Sequence, residues 1–202
     1  MNNTSKPYSE ACERNKIPIL EILKRLFIKP GLILEIGSGT GQHAVYFSKH
    51  LPHLTWQTSD LTIHHTGIQH WLNDAKLQNV LPPLPLDVQL NDWPVDRVDG
   101  VYAANVAHIM TWQEVVKMFI AIAKILKPQS IFCLYGPFKY DKKFTSKSNT
   151  QFDSMLKKQH QHMGIRNLDE IIEITNKIGL YLIEDNTMPA NNQLLVWQKR
   201  EC

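Results

Sequence analysis

Leu32-Ile33-Leu34-Glu35-Ile36-Gly37-Ser38-Gly39-Thr40-Gly41 is the stretch that decides the fold. Its first half is a short, almost wholly apolar run, which suits a strand buried on both faces of a parallel sheet. Its second half has a glycine at every second position. Without a Cβ, glycine reaches positive φ and lets a ligand lie against the backbone. Ala44, Val45 and Phe47 then keep helical spacing, so the local order is strand, glycine turn, helix. The N–H groups of such a turn and the helix N-terminus make a polar cradle. The spacing is G-x-G-x-G, whereas the dinucleotide fingerprint is G-x-G-x-x-G, and the difference disfavours a nicotinamide cofactor.

Working outward, strands and helices alternate. Residues 54–58, 84–88, 98–104 and 131–135 read as strands, and 63–75, 112–126 and 168–178 as helices. That alternation implies an α/β fold, a parallel sheet with helices on both faces. Residues 181–184 and 194–198 read as two last strands, joined by the turn-rich 185–192 and so able to form an antiparallel hairpin. Before the glycine turn, Ile19, Ile22, Leu23 and Leu26 form one helical stripe, with Ser9 as N-cap and Glu10 and Glu13 in the first turn. Pro18 lies inside that pattern, and a break or a second helix start is expected near it. The polar stretch 138–162 reads as a loop and short helix across one end of the sheet. Asn167 is the expected N-cap of the 168–178 helix and Gly179 its C-cap.

Length and composition bound the function. A chain of 202 residues, 43% apolar and 20% charged, reads as one domain, 1–202, with an N-terminal helical cap over 1–30 and an insertion over 138–165. Lys and Arg number 22 against 19 Asp and Glu, a net charge of +3, too small a surplus to suggest a nucleic-acid or membrane surface. No run of about 18 apolar residues suggests a membrane span, and the polar N-terminus lacks a signal-peptide core. Cys12, Cys133 and Cys202 form no CxxC and no metal spacing. They read as reduced thiols of a cytoplasmic protein. The Asn2-Asn3-Thr4 triplet carries no weight without secretion. The histidines, including His64-His65 and His160/His162, match no standard zinc spacing, and no metal is expected.

Two acids extend the glycine turn into a candidate site. Asp60 falls at the end of the second expected strand, about 20 residues on, where a carboxylate accepts both ribose hydroxyls. Asp87 falls at the end of the third, where it could accept from an exocyclic adenine amine. Ligands of open parallel sheets bind at these carboxyl ends. Each acid also has a plainer reading, Asp60 as a cap of the next helix and Asp87 as a turn residue. His108 follows Asn105 just beyond the fourth strand. It reads either as a general base of near-neutral pKa or as a residue that packs or caps the next helix. Arg14 reads as a fork for a carboxylate or as a surface arginine. Asn105-Val106-Ala107-His108 lacks the Pro-Pro-aromatic pattern of amino-methylating nucleic-acid enzymes, and Cys133 is a poor nucleophile inside a buried strand.

Residues 35–41 with Asp60, Asp87 and the Leu126-Lys127-Pro128 break resemble class I S-adenosylmethionine-dependent methyltransferases. Tyr8-Ser9-Glu10-Ala11-Cys12-Glu13-Arg14-Asn15-Lys16, residues 34–43, Tyr135-Gly136-Pro137-Phe138 and Met188-Pro189-Ala190-Asn191-Asn192 resemble, more closely, the methyltransferase-like protein 26 family, formerly a domain of unknown function. The resemblance spans nearly the whole chain. It implies a Rossmann-like, seven-stranded sheet whose last strand is antiparallel, S-adenosylmethionine as cofactor, and methyl transfer to a small-molecule acceptor. The alternative is a cofactor-binding partner protein without transfer activity. Carried over by residue, Glu35 would orient the methionine amino end, and Gly37, Ser38 and Gly39 would pass under the cofactor. Asp60 would hold the ribose, Leu61 would face the adenine, and Asp87 and Val88 would frame it. Asn105 would face the methionine moiety. Tyr8, Arg14, Asn15 and His108 are the catalytic candidates, with Tyr135, Phe138, Asn149, Asn191 and Asn192 as acceptor-side residues. Gln129-Ser130 stands where many class I enzymes have two glycines.

Overall fold

In the computed structural model, which describes residues 6–200, the chain divides into two compact units, Met1–Asp87 and Val88–Cys202. Cys202 and the Asn2-Asn3-Thr4 triplet lie outside the described residues.

The first unit runs α1 (Glu10–Leu26), β1 (Gly31–Ile36), α2 (Gln42–His50), β2 (Leu54–Asp60), α3 (His65–Ala75) and β3 (Val80–Pro85). β1 pairs parallel with β2, Gly31 against Leu54 through Ile36 against Ser59. Ser9 caps α1 by accepting from Cys12 N. The expected break at Pro18 does not occur, for α1 continues through it to Leu26. Proline costs an interior turn about 3 kcal/mol, but Ile19, Leu20 and Leu23 are all 2% exposed or less. Burying three such side chains outweighs that cost.

The third strand is also corrected. It spans Val80–Pro85 rather than 84–88, so Asp87 and Val88 lie beyond its end. β3 contains Pro82, Pro83 and Pro85, which a central strand would not tolerate, but it is a sheet edge, where proline is accepted. Side chains reinforce the interrupted ladder. Thr58 Oγ1 donates to Leu81 O at 2.8 Å and Gln57 Nε2 to Pro82 O at 2.7 Å.

The second unit contains β4 (Val98–Ala104), α4 (Trp112–Ile125), β5 (Leu126–Gly136), β6 (Phe138–Tyr140), β7 (Lys143–Phe144), α5 (Lys147–Gln159), β8 (Arg166–Asn167), α6 (Leu168–Lys177), β9 (Leu180–Met188) and β10 (Asn192–Lys199). β4 and β5 are parallel, and β10 is antiparallel to both β5 and β9. The seven-stranded sheet has the order β3-β2-β1-β4-β5-β10-β9, an α/β arrangement with one reversed strand. A Thr111–Glu114 capping box opens α4. Phe119 and Phe132 pack on Trp197 at 5.1 and 5.8 Å between ring centres.

Residues 138–162 are more ordered than a loop and short helix. They hold β6, β7 and the 13-residue α5, with β6 central in a small sheet between β7 and β8. Asn167 precedes α6 but makes no side-chain cap; its Oδ1 accepts from Lys142 N at 3.1 Å. Gln129 adopts φ +64°, so the glycine-like turn survives without glycine.

Candidate active site

The first unit holds the glycine turn. Gly37, Gly39 and Gly41 have φ of +69°, +58° and +89°, a region that disfavours side chains. At Gly41 a Cβ would meet Ile68 Cα at 3.2 Å and both Ile68 O and Trp71 Cβ at 3.3 Å. The third glycine therefore serves close packing of the turn on α3. Ser38 N donates to Ser59 O at 2.9 Å, and Ser59 N to Ser38 Oγ at 3.1 Å. These bonds tie the turn to the end of β2.

Asp60 closes the cradle. Its Oδ2 accepts from Gly39 N and its Oδ1 from Leu61 N, both at 2.7 Å. It is not the cap of α3, which begins five residues later. A carboxylate offers about four lone-pair sites, so each oxygen keeps capacity for a further donor. Leu61 beside it is 47% exposed. Asp87 is half-buried beyond the β3 end.

Glu35 lies at the base of the turn, 2% exposed. Its Oε2 accepts from Trp56 Nε1 at 3.0 Å and from Ser38 Oγ at 3.1 Å. Burial raises its pKa to about 7, against the lowering effect of those two donors.

The N-terminal segment is anchored around this turn. Trp71 Nε1 donates to Pro7 O at 2.6 Å, and Pro7 packs on Gly67. Ser9 N donates to Gln42 Oε1 at 2.5 Å, and Gln42 Nε2 donates to Glu13 Oε1 at 2.9 Å. Tyr8, between the two anchors, is 58% exposed, and Arg14 is exposed. Asn15 is buried, with Oδ1 at 2.7 Å from His43 Nε2. Burial lowers the His43 pKa to about 4. Gln42, His43, Trp56 and Trp71 were missed by sequence reasoning. For Gln42 and His43 the nearest signal was the polar pair that opens α2 ahead of Ala44, Val45 and Phe47.

In the second unit Val88 is buried. Asn105 follows β4 directly with φ +59°, its N–H donating to Tyr135 O at 2.8 Å. His108 is 7% exposed and meets Phe152 edge-on at 5.2 Å. Burial, then the Arg166 charge, lowers its pKa to about 4, so it is neutral at pH 7 and not the near-neutral base expected. Arg166 grips its loop, donating to Ala107 O at 2.9 Å and to Met110 O, and also donates to His162 O at 3.0 Å. Asn149 Nδ2 donates to Asn191 O at 2.9 Å, joining α5 to the turn before β10. Tyr135 and Phe138 are buried, and Asn192 Nδ2 donates to Pro189 O. Among the described residues no group of three His, Cys, Asp or Glu could hold a metal, and no helix is long and apolar enough to cross a membrane.

A family described as "Protein of unknown function (DUF938)" has a profile that matches residues 6–199. Among solved structures, an O-methyltransferase family protein from Burkholderia thailandensis superposes with a TM-score of 0.81 at 16% identity, over 95% of this chain and 58% of that one. An O-methyltransferase family 2 protein from Planctomyces limnophilus, in complex with apigenin, gives 0.81 at 11% identity, over 94% and 57%. Human N-acetylserotonin methyltransferase in complex with SAM gives 0.79 at 16% identity, over 95% and 53%. At these identities the likeness is one of fold, and the chain spans little more than half the length of those proteins.

Proposed function

Because the chain belongs to the family described as a protein of unknown function (DUF938), we propose a chemistry for it from its own residues: it binds S-adenosylmethionine on the first unit and transfers methyl to a small-molecule acceptor. One observation carries this reading. The Asp60 carboxylate is fixed by Gly39 N–H and Leu61 N–H over a turn of three left-handed glycines.

The residues fit the group. Asp60 retains lone pairs for two ribose hydroxyls. The backbone of Gly37, Ser38 and Gly39 carries no bulk beyond the Ser38 side chain, which is turned down onto Glu35. Leu61 offers an exposed apolar surface to a base, with Asp87 as acceptor for its amine. The buried Glu35 carboxyl is the counter-charge for an amino group. When bound, the cofactor supplies a methyl group already activated on a sulfonium. The chain then supplies orientation, which contributes on the order of 7–11 kcal/mol to such displacements. His108, neutral and rigidly held, is the candidate to contact and orient the acceptor. Tyr8 and Arg14, exposed beside the anchored segment, are candidates to contact ligand. Asn15 acts through His43.

The finer assignment, to the methyltransferase-like protein 26 family, rests on the motif resemblance, and a cytoplasmic location on three cysteines that lie far apart in sequence and form no CxxC. The named activities of the structural neighbours support methyl transfer to a small molecule. Titration calorimetry with S-adenosylhomocysteine and with NAD tests the reading. Heat from the former alone is expected; heat from NAD alone would overturn it. Release of S-adenosylhomocysteine in the presence of small-molecule cell extract separates an enzyme from a binding partner that lacks turnover.

A further inference from the structure

Two side chains of the second unit that flank Gly136 keep hydrogen-bonding capacity unused among the described residues. The first is His108. A Cβ built on Gly136 would have His108 Nδ1 as its nearest described neighbour, at 3.9 Å, and the imidazole nitrogens have no hydrogen bond among the described residues. At 7% exposure the ring has little access to water. The second is Gln193, directly opposite Gly136 in the β5–β10 ladder. Residues directly opposite in an antiparallel pair share a face, so the Gln193 side chain rises on the same side as His108. Its Oε1 is buried and unpartnered among the described residues. The amide orientation follows from its neighbour. Tyr140 OH donates to Asp185 Oδ2 at 2.7 Å, and the Gln193 amide acts on the phenol as a donor does. The NH2 end therefore faces Tyr140, and Oε1 is left over.

Orphaned buried groups are rare, and each calls for a ligand, a water or a strain. Here Gln193 Oε1 is such a group, and beside it His108, with no ring hydrogen bond among the described residues, borders Gly136, which has no side chain. Both partners are held in place. Arg166 binds two carbonyls of the residues around His108, Ala107 O and Met110 O, Gly164 N donates to His108 O at 2.9 Å, and Gln193 is fixed in the ladder. Gln193 Oε1 can only accept, so the missing group must donate to it. His108 carries no charge at neutral pH, which favours a neutral group. A hydroxyl meets both requirements, donating to the amide oxygen and accepting from the ring N–H.

We propose that the space over Gly136 binds a hydroxyl group of a neutral small molecule, held between His108 Nδ1 and Gln193 Oε1. If the methyltransferase reading holds, this hydroxyl belongs to the methyl acceptor; the binding site itself does not depend on that reading.

The test uses phenol as probe and toluene as its hydroxyl-free counterpart, with the full chain labelled with 15N-histidine. Phenol is expected to fix the His108 Nδ1–H tautomer and shift both ring nitrogens, and toluene to leave them in place. Gly136→Ala puts a methyl group in ordinary contact with His108 and is expected to weaken phenol about tenfold, the scale of one lost buried hydrogen bond. Gln193→Leu should do the same without touching the glycine. Equal shifts from toluene, an Nε2–H tautomer with phenol bound, or undiminished affinity in both variants would overturn the proposal. S-adenosylhomocysteine calorimetry on the unmodified chain, run alongside, reports on the methyltransferase reading alone.

Discussion

Glu35→Gln should change how stability depends on pH, in a direction fixed by burial. The ordinary glutamate pKa of 4.5 is raised to about 7 in the fold. Between those values the folded carboxyl holds a proton that the unfolded one has released, so stability falls as pH rises. One pKa unit is worth about 1.4 kcal/mol, and the interval gives about 3 kcal/mol. Below pH 4.5 both states are protonated and above 7 both are ionised, so the effect is flat outside the window. Glutamine keeps the shape and its amide oxygen accepts from Trp56 and Ser38, but it cannot ionise. His43 and His108 act in the opposite sense, since both are lowered from 6.5 to about 4, so each removes stability as pH falls below 6.5. Their contributions are common to both proteins and cancel in the difference. Denaturant unfolding followed by tryptophan fluorescence, from pH 4 to 8, is the assay. The wild type should lose about 3 kcal/mol relative to the variant between pH 4.5 and 7. Parallel stability curves would refute the reasoning. The same proton gives a second readout: S-adenosylhomocysteine should release it at pH 6 and not at pH 8, as calorimetry in buffers of different ionisation heat would show.

Asp60→Ala removes the acceptor of both Gly39 N–H and Leu61 N–H; it should weaken S-adenosylhomocysteine by about 1–3 kcal/mol, and unchanged affinity by calorimetry would contradict the ribose assignment. Gly41→Ala combines φ +89° with contacts of 3.2–3.3 Å to Ile68 backbone atoms and Trp71 Cβ, so denaturant unfolding should show a loss of about 1–3 kcal/mol. Asn15→Ala leaves the buried His43 Nε2 without its partner at 2.7 Å; a loss of about 1–3 kcal/mol is expected, and wild-type stability would show that the pair does not hold α1 to α2.

The fold was legible where periodicity and local chemistry agree. The apolar run over 32–36, the glycines after it and the strand at 98–104 all rest on patterns within a few residues, and each was placed closely; the terminal hairpin was found, but β9 runs on to Met188 through residues read as its turn. Errors arose where a local rule met a tertiary one. Pro18 ought to end a helix and does not, because the buried stripe after it outweighs one missing hydrogen bond. Pro82 and Pro83 ought to exclude a strand, yet an edge position needs fewer N–H donors, and side chains from β2 supply others. The ordered α5 was hidden by its polar sequence, with only Asn149, Asp153 and Leu156 buried along it. Contacts such as Trp71 to Pro7 and Trp56 to Glu35 join residues too far apart in sequence for any spacing rule.

Residue type alone also could not separate structural polar groups from those available to a ligand, because the distinction lies in what each group already binds. Asn15 and Asp60 looked alike in sequence, as polar residues near the cofactor turn. In the fold, Asn15 Oδ1 faces a buried imidazole in a closed pair, and its removal is expected to show in stability. Asp60 accepts one backbone N–H on each oxygen and keeps lone pairs on both, so its removal is expected to show in ligand affinity. The two histidines divide in the same way: His43 is paired with Asn15, whereas His108 turns Nδ1 toward the open position over Gly136. Remaining hydrogen-bonding capacity, counted atom by atom, is therefore what ranks Asp60 and His108 above Asn15 and His43 as ligand-binding residues.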